Sequence, residues 1–261
     1  MASWDLMIRS FRVLRRDKQL ILFPILSTLA AAAVSVPFAF ALFQGGLPRH
    51  WEPIDFAVAF AWYLFANFAI IFLNCALAAS AQDVFNGGEA SLGKGIGVAA
   101  ARAPEILMWS LVSSTVGIFL RWIDERAGLL GRIAIGILGF GWSMATYLIV
   151  PVLVIEERGV MGSIRRSGEL LRKTWGEQLS GAIAFMWAGL LFAVPAVVIG
   201  AIGINRFWPL LPVAALYILA MAATFSAARQ IFAVALYRYA TTGEAPDGYT
   251  GEGLHGAVRS R

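Results

Sequence analysis

The chain has 261 residues, 59% of them hydrophobic, with a formal net charge of +5 and a mean hydropathy of +0.72. An average soluble domain is about 45 to 50% apolar, so a water-soluble globule, which would have to bury this surplus, is excluded. What remains is an all-α, polytopic membrane helical bundle. The single Cys75 allows no intramolecular disulfide and leaves the redox compartment unread.

Ser3 to Lys18 opens the chain with Trp4, Met7, Phe11 and Leu14 on one helical face and Arg9, Arg12 and Arg16 on another. This is the pattern of a helix lying in a membrane interface, its cations on anionic lipid headgroups. A bilayer core of about 30 Å takes roughly 20 apolar residues per helix. Six stretches without Asp, Glu, Lys or Arg meet or approach that length: Leu20 to Phe43, Phe56 to Gln82, Ile106 to Leu120, Ile133 to Ile155, Gln178 to Ile204 and Phe207 to Ala228. The first is too long, and too interrupted by Pro24 and Pro37, to be the short core of a cleaved signal despite Ala39-Phe40-Ala41, and reads as a retained helix. The third is short but extends through Ala103, Pro104 and Trp122; the alternative is a re-entrant hairpin of Ile106 to Ile155 about Arg121 to Arg132. Pro24, Pro37, Pro151 and Pro195 lie inside spans and are expected to bend them. Gly136, Gly139, Gly141, Gly189, Gly200 and Gly203 are expected to permit close helix contacts. Residues 1–240 thus form one transmembrane domain, and 241–261 a polar, disordered cytoplasmic tail.

With the N-terminus inside, sixteen of the 21 basic residues fall on the cytoplasmic side, and only Arg49, Arg121, Arg126, Arg132 and Arg206 on the other. This positive-inside bias places both termini in the cytoplasm. The basic residues alternate with bilayer spans, so membrane lipids with anionic headgroups are the expected partners, and nucleic acid is not.

The segments between spans suggest repetition. Val160 to Thr174 sets Met161, Ile164, Leu170 and Leu171 against Arg165, Arg166, Arg172 and Lys173, and matches the opening helix at a constant offset of 157: Arg9-Ser10 and Val13-Leu14-Arg15-Arg16 against Arg166-Ser167 and Leu170-Leu171-Arg172-Lys173. Ser91-Leu92, Lys94 and Glu105 form a weaker copy, 72 residues before Ser163-Ile164, Arg166 and Glu177. Gly88-Glu89-Ala90 returns as Gly243-Glu244-Ala245. Three units follow, each an amphipathic cytoplasmic helix feeding a transmembrane hairpin; chance likeness among basic, Leu-rich helices is the competing account.

The last echo aligns Asn74 with Arg229 and carries the sixth helix on through Ile231 to Tyr239, leaving Arg229 in the inner half of the membrane. The 72-residue offset adds Thr146, and helical spacing puts Asn67 and Tyr63 on the face of Asn74. A charge in a bilayer costs at least about 2.5 to 3.5 kcal/mol at a helix centre and usually faces a bundle interior or a watery cavity. Arg229 is therefore the leading candidate to bind a phosphate or carboxylate, with Asn67 and Asn74 donating to it. The competing account has Arg229 snorkelling to headgroups and the asparagines merely joining helices.

Catalytic signals are lacking. His50 and His255 lie outside the spans, and Asp124, Glu125, Glu156 and Glu157 read as solvated loop charges. Gly93, Gly95 and Gly97 lack the ending of a phosphate-binding loop, and no Gly-x-Ser-x-Gly elbow is present. The expectation is a non-enzymatic protein without cofactor or metal.

Trp4 and Phe11 with Val13-Leu14-Arg15-Arg16-Asp17-Lys18, then Leu22-Phe23-Pro24, resemble the opening of a family of prokaryotic six-span membrane proteins of unknown function. Pro151-Val152-Leu153-Val154-Ile155-Glu156, Ser163-Ile164-Arg165-Arg166-Ser167 and Thr174-Trp175-Gly176-Glu177 strengthen the likeness, which spans roughly residues 1 to 245. The second group also looks like segments of the membrane domains attached to glycerophosphodiester phosphodiesterases. The resemblance implies a bacterial or archaeal inner-membrane protein and supplies no catalytic residues. Two functions from different classes remain open. One is a lipid-associated or scaffolding protein with a sealed interior, and the other is a transporter or channel for an anionic or amphiphilic solute with a cavity at Arg229.

Overall fold

The computed structural model describes residues 2–45 and 52–243, which hold helices and no strand. In chain order these are α1 (Ala2–Arg16), a 3-10 turn (Lys18–Ile21), α2 (Leu22–Gly45), α3 (Pro53–Phe85), α4 (Leu92–Ala101), α5 (Ala103–Arg126), α6 (Leu129–Ala145), α7 (Ile149–Ile155), α8 (Val160–Asn205) and α9 (Leu210–Thr242). Six segments are long and apolar enough to cross a membrane: Lys18–Ala41, Pro53–Phe85, Ala103–Arg126, Leu129–Ile155, Gly181–Ile204 and Leu210–Thr242. The short third stretch thus belongs to a 24-residue helix. It gains its first turn from Ala103-Pro104, where proline's missing N–H costs nothing. The proposed tail falls almost wholly, and His50 and His255 fall entirely, outside the described residues.

Three backbone breaks divide amphipathic segments from the spans that follow. Asp17 (φ −117°, ψ 83°) ends α1, Arg102 (φ −111°, ψ 15°) ends α4, and Thr174 (φ −126°, ψ 21°) kinks α8. The fourth span breaks at Thr146–Leu148, between α6 and α7. Pro151 accounts for this, since it offers no N–H to the Tyr147 carbonyl and its ring crowds that oxygen. Ser167 staples the break from α8: its hydroxyl donates to the Ala145 carbonyl at 2.6 Å and accepts from the Leu148 N–H at 3.2 Å.

The core gathers at one end of the bundle. Cys75 to Leu77 of α3, Leu148, Ile149 and Pro151 to Val154 around α7, Ile231 to Tyr237 of α9, Leu20 and Phe23, and Ile106 are all buried. At the opposite end Val36, Phe40, Phe56, Phe119, Leu129, Leu130, Ile204 and Trp208 lie exposed. Apolar patches of this extent are not left to water, and six such helices fit a multi-pass membrane protein.

Two expectations about the amphipathic segments change. α1 rests on protein: Met7 and Leu14 are buried, and the Phe11 ring lies edge-on to Phe225 at 5.2 Å. Its arginines Arg12 and Arg16 face outward. In α8, Met161 is 78% exposed and the buried stripe is Ser163, Ser167, Leu170 and Thr174. Hydroxyls fill that face because each can bond to backbone where a larger apolar side chain would not fit, as Ser163 does to the Arg158 carbonyl and Thr174 to that of Leu170.

The glycines also divide differently from expectation. A Cβ on Gly203 would meet Leu211 at 2.9 Å and one on Gly139 would make ordinary contact with Leu120, but Gly136, Gly141, Gly189 and Gly200 face open space. The tightest approaches are elsewhere, at Gly95, whose added Cβ would lie 2.5 Å from the Ala76 carbonyl oxygen, and Gly181, 2.5 Å from the Phe232 ring.

Candidate functional site: a cationic cavity between helices

The packed end carries a charged cluster. Glu156, the residue after α7, accepts from Arg158 Nε at 2.6 Å, from Arg166 Nε at 3.0 Å and from the Tyr237 hydroxyl at 3.3 Å. It is not the solvated charge the sequence suggested, for its side chain is only 14% exposed. The carboxylate raises the Arg166 pKa above the ordinary arginine value, chiefly through the hydrogen bond. Glu157 pairs with Arg102. Arg238 Nη1 donates to the Phe85 carbonyl at 2.7 Å and to Asn86 Oδ1 at 2.8 Å, so the ends of α3 and α9 are tied together.

Arg229 lies eight residues before Tyr237 on α9, about 12 Å along the helix and thus roughly two turns deeper than this cluster. Its side chain is exposed and lines a cavity of about 640 Å³. Asn74 of α3, Tyr147 from the α6–α7 break, Phe185, Met186 and Gly189 of α8, and Phe225, Ser226 and Gln230 of α9 line the same space. No Asp or Glu is among the lining residues. The guanidinium carbon stands 6.0 Å from the Phe185 ring centroid, at the outer reach of a cation–π contact, and among the described residues it has no carboxylate partner. Beside it, Gln230 Nε2 is buried with no hydrogen-bond partner, an arrangement that costs about 1 to 3 kcal/mol when nothing fills it. Met186, Leu190 and Ala222 are exposed, so the cavity opens at the surface of the bundle.

Of the five residues proposed from sequence to meet a ligand, Arg229 and Asn74 share this cavity and three lie elsewhere. Asn67 donates to Ser113 Oγ at 3.1 Å and Ser114 Oγ at 2.9 Å, joining α3 to α5. Thr146 donates to the Trp142 carbonyl at 2.8 Å and so closes the end of α6. Tyr63 is 40% exposed, next to Gly117. The cavity instead recruits Tyr147 and Gln230, each the sequence neighbour of a residue singled out. Their signal was a pair of adjacent polar letters in an apolar run.

The residues proposed to touch headgroups also divide. Arg12, Arg16, Arg165 and Arg172 are exposed and Arg9 is half-buried. Arg166 is spent on Glu156, and the Lys173 side chain lies outside the described residues. Among the described residues no three His, Cys, Asp or Glu side chains assemble as metal ligands.

Residues 53–247 match a family whose description is "Family of unknown function (DUF6159)". No curated protein and no solved structure matches the chain, so the likeness to the membrane domains of glycerophosphodiester phosphodiesterases gains no support.

Proposed function

Because the chain belongs to this family of unknown function, its role must come from its own geometry, and we propose a non-enzymatic, lipid-associated membrane protein that binds the anionic head of a membrane amphiphile at Arg229. The carrying observation is a guanidinium without a carboxylate partner, about two turns below the charged end, in an open cavity free of acidic side chains. A charge at such depth is costly, and a phosphate or carboxylate that accepts from the guanidinium fork would offset that cost. Gln230 Nε2 supplies a further donor with no protein acceptor.

The membrane frame of this proposal is a prokaryotic inner membrane with both termini cytoplasmic. The exposed Arg12, Arg16, Arg165 and Arg172 then face anionic lipid of the inner leaflet, where each cation near the surface is worth about 1 kcal/mol. Three repeated helix-plus-hairpin units are part of the reading. Asp17 and Thr174 stand 157 residues apart, and Arg102 precedes Thr174 by 72, the two offsets found in the sequence. α3 and α9 are both 33 residues long, with their first and last residues again 157 apart, a register that pairs Asn74 with Ile231 and not with Arg229.

Native mass spectrometry of the protein released from membranes tests the site. The parent is expected to carry an anionic adduct that Arg229→Ala loses; identical spectra would overturn the reading and leave Arg229 a snorkelling residue. The cavity removes the sealed interior expected of a lipid-associated or scaffolding protein, and transport of the same amphiphile is the second reading, favoured by that opening and by lining residues drawn from all three units, Asn74 from the first, Tyr147 from the second and the rest from the third. Binding sites of transporters with internal repeats lie at such junctions. Accelerated exchange of a fluorescent anionic lipid between the leaflets of vesicles containing the protein, abolished by Arg229→Ala, would separate transport from binding alone.

A further inference from the structure

A second cavity, of about 520 Å³, adjoins the first. Its walls are Met7, Ile8 and Phe11 of α1 with Phe192 of α8 and Tyr217, Ala220 and Thr224 of α9. It shares Met221 and Phe225 with the Arg229 cavity. Thr224 turns its hydroxyl back to the Ala220 carbonyl at 2.7 Å, and Tyr217 donates to that of Phe192 at 2.9 Å, so both polar tips are occupied and the groove offers apolar surface. Both volumes fall in the range of about 300 to 1,000 Å³ typical of ligand pockets. A cationic chamber thus shares two apolar side chains with an apolar groove that has the N-terminal helix along one wall.

We propose that this groove holds an acyl chain of the same anionic lipid whose head occupies the Arg229 cavity, with α1 along one wall; the inference rests on the head-group reading above. A headless apolar guest would leave Arg229 without a counter-ion, and a free anion would leave the groove unfilled. One molecule with both parts satisfies the charge at one end and the apolar wall at the other. Phe225, in ring contact with Phe11 at 5.2 Å and with Phe192 at 5.8 Å, stands where head and chain meet.

The test titrates lysophosphatidylglycerols of increasing chain length into the detergent-purified full chain. In the parent, affinity is expected to rise by about fourfold for each added methylene that enters the groove, then level off when the groove is full. Ala220→Trp, which blocks the groove, is expected to remove this dependence while short-chain affinity stays at the parent value; Arg229→Ala is expected to weaken every length. Unchanged chain-length dependence in Ala220→Trp, with Arg229→Ala still weak, would overturn the groove and spare the head site. Equal binding by the parent and Arg229→Ala would overturn the head site itself. Should Ala220→Trp fail to fold, the parent alone decides: a lysophosphatidylglycerol with a diazirine at the chain end should label residues 7–11 and 217–225, and labelling confined elsewhere rejects the proposal.

Discussion

Two apolar runs of α9, Leu210 to Met221 and Ile231 to Tyr237, live in opposite surroundings. From Ile231 to Tyr237 every residue is buried against other helices, whereas Leu211, Val213, Leu216, Ile218 and Leu219 are exposed. The bundle is therefore held by protein contacts at one end and leaves its other end to the membrane. Arg229 sits at the boundary between them, and the cavity is what remains where tight packing stops.

The largest effect that would sharpen this contrast is at Gly95. Gly95→Leu drives a side chain into the Ala76 carbonyl, a backbone group that cannot turn aside, and should destabilise by about 3 kcal/mol or more, read as loss of the monodisperse peak on size exclusion. Phe232→Ala should cost about 3 to 5 kcal/mol and Leu216→Ala less than about 0.5 kcal/mol, compared by thermal unfolding in one detergent. Equal costs would break the division of the helix. Glu156→Gln should cost about 1 to 3 kcal/mol, less than a fully buried pair because Arg166 is 26% exposed. The Arg166 pKa is raised in the folded state, so its contribution is present below the ordinary arginine value and is lost only as pH climbs through the raised one. The gap in melting temperature between parent and Glu156→Gln should therefore hold from neutral to mildly alkaline pH. Asn67→Ala should cost about 0.6 kcal/mol, the average for a hydrogen bond between membrane helices. Arg229→Ala should change stability least, since no carboxylate is stranded by it; a drop in melting temperature as large as that of Glu156→Gln would show that the arginine braces the bundle.

Hydropathy reports an apolar environment and is silent on whether protein or lipid supplies it. This is why the six helices were legible in the letters and the packed end was not. The α1 pattern of Met7, Phe11 and Leu14 set against Arg12 and Arg16 predicted an amphipathic helix correctly, but the same stripe serves for lying on headgroups or on Phe225. Arg229 stood out because a charge is rare in such a run. Tyr147 did not, because its place depends on the break that Pro151 imposes and on Ser167 arriving from α8 to staple it. Asn67 and Asn74 look alike in sequence, seven residues or about two helical turns apart; Ser113 and Ser114 claim the first, and no periodicity in α3 announces that.

The bond from Arg238 to Asn86 joins residues 152 positions apart, which has a consequence for how the molecule is made. The first hairpin leaves the ribosome long before its anchor exists, and the apolar face of α1 waits for Phe225 on the last helix to be synthesised. The contacts that close the packed end therefore form only once α9 has been made. A nascent protein halted before Phe225 would lack both the ring that receives α1 and the arginine that ties down the end of α3.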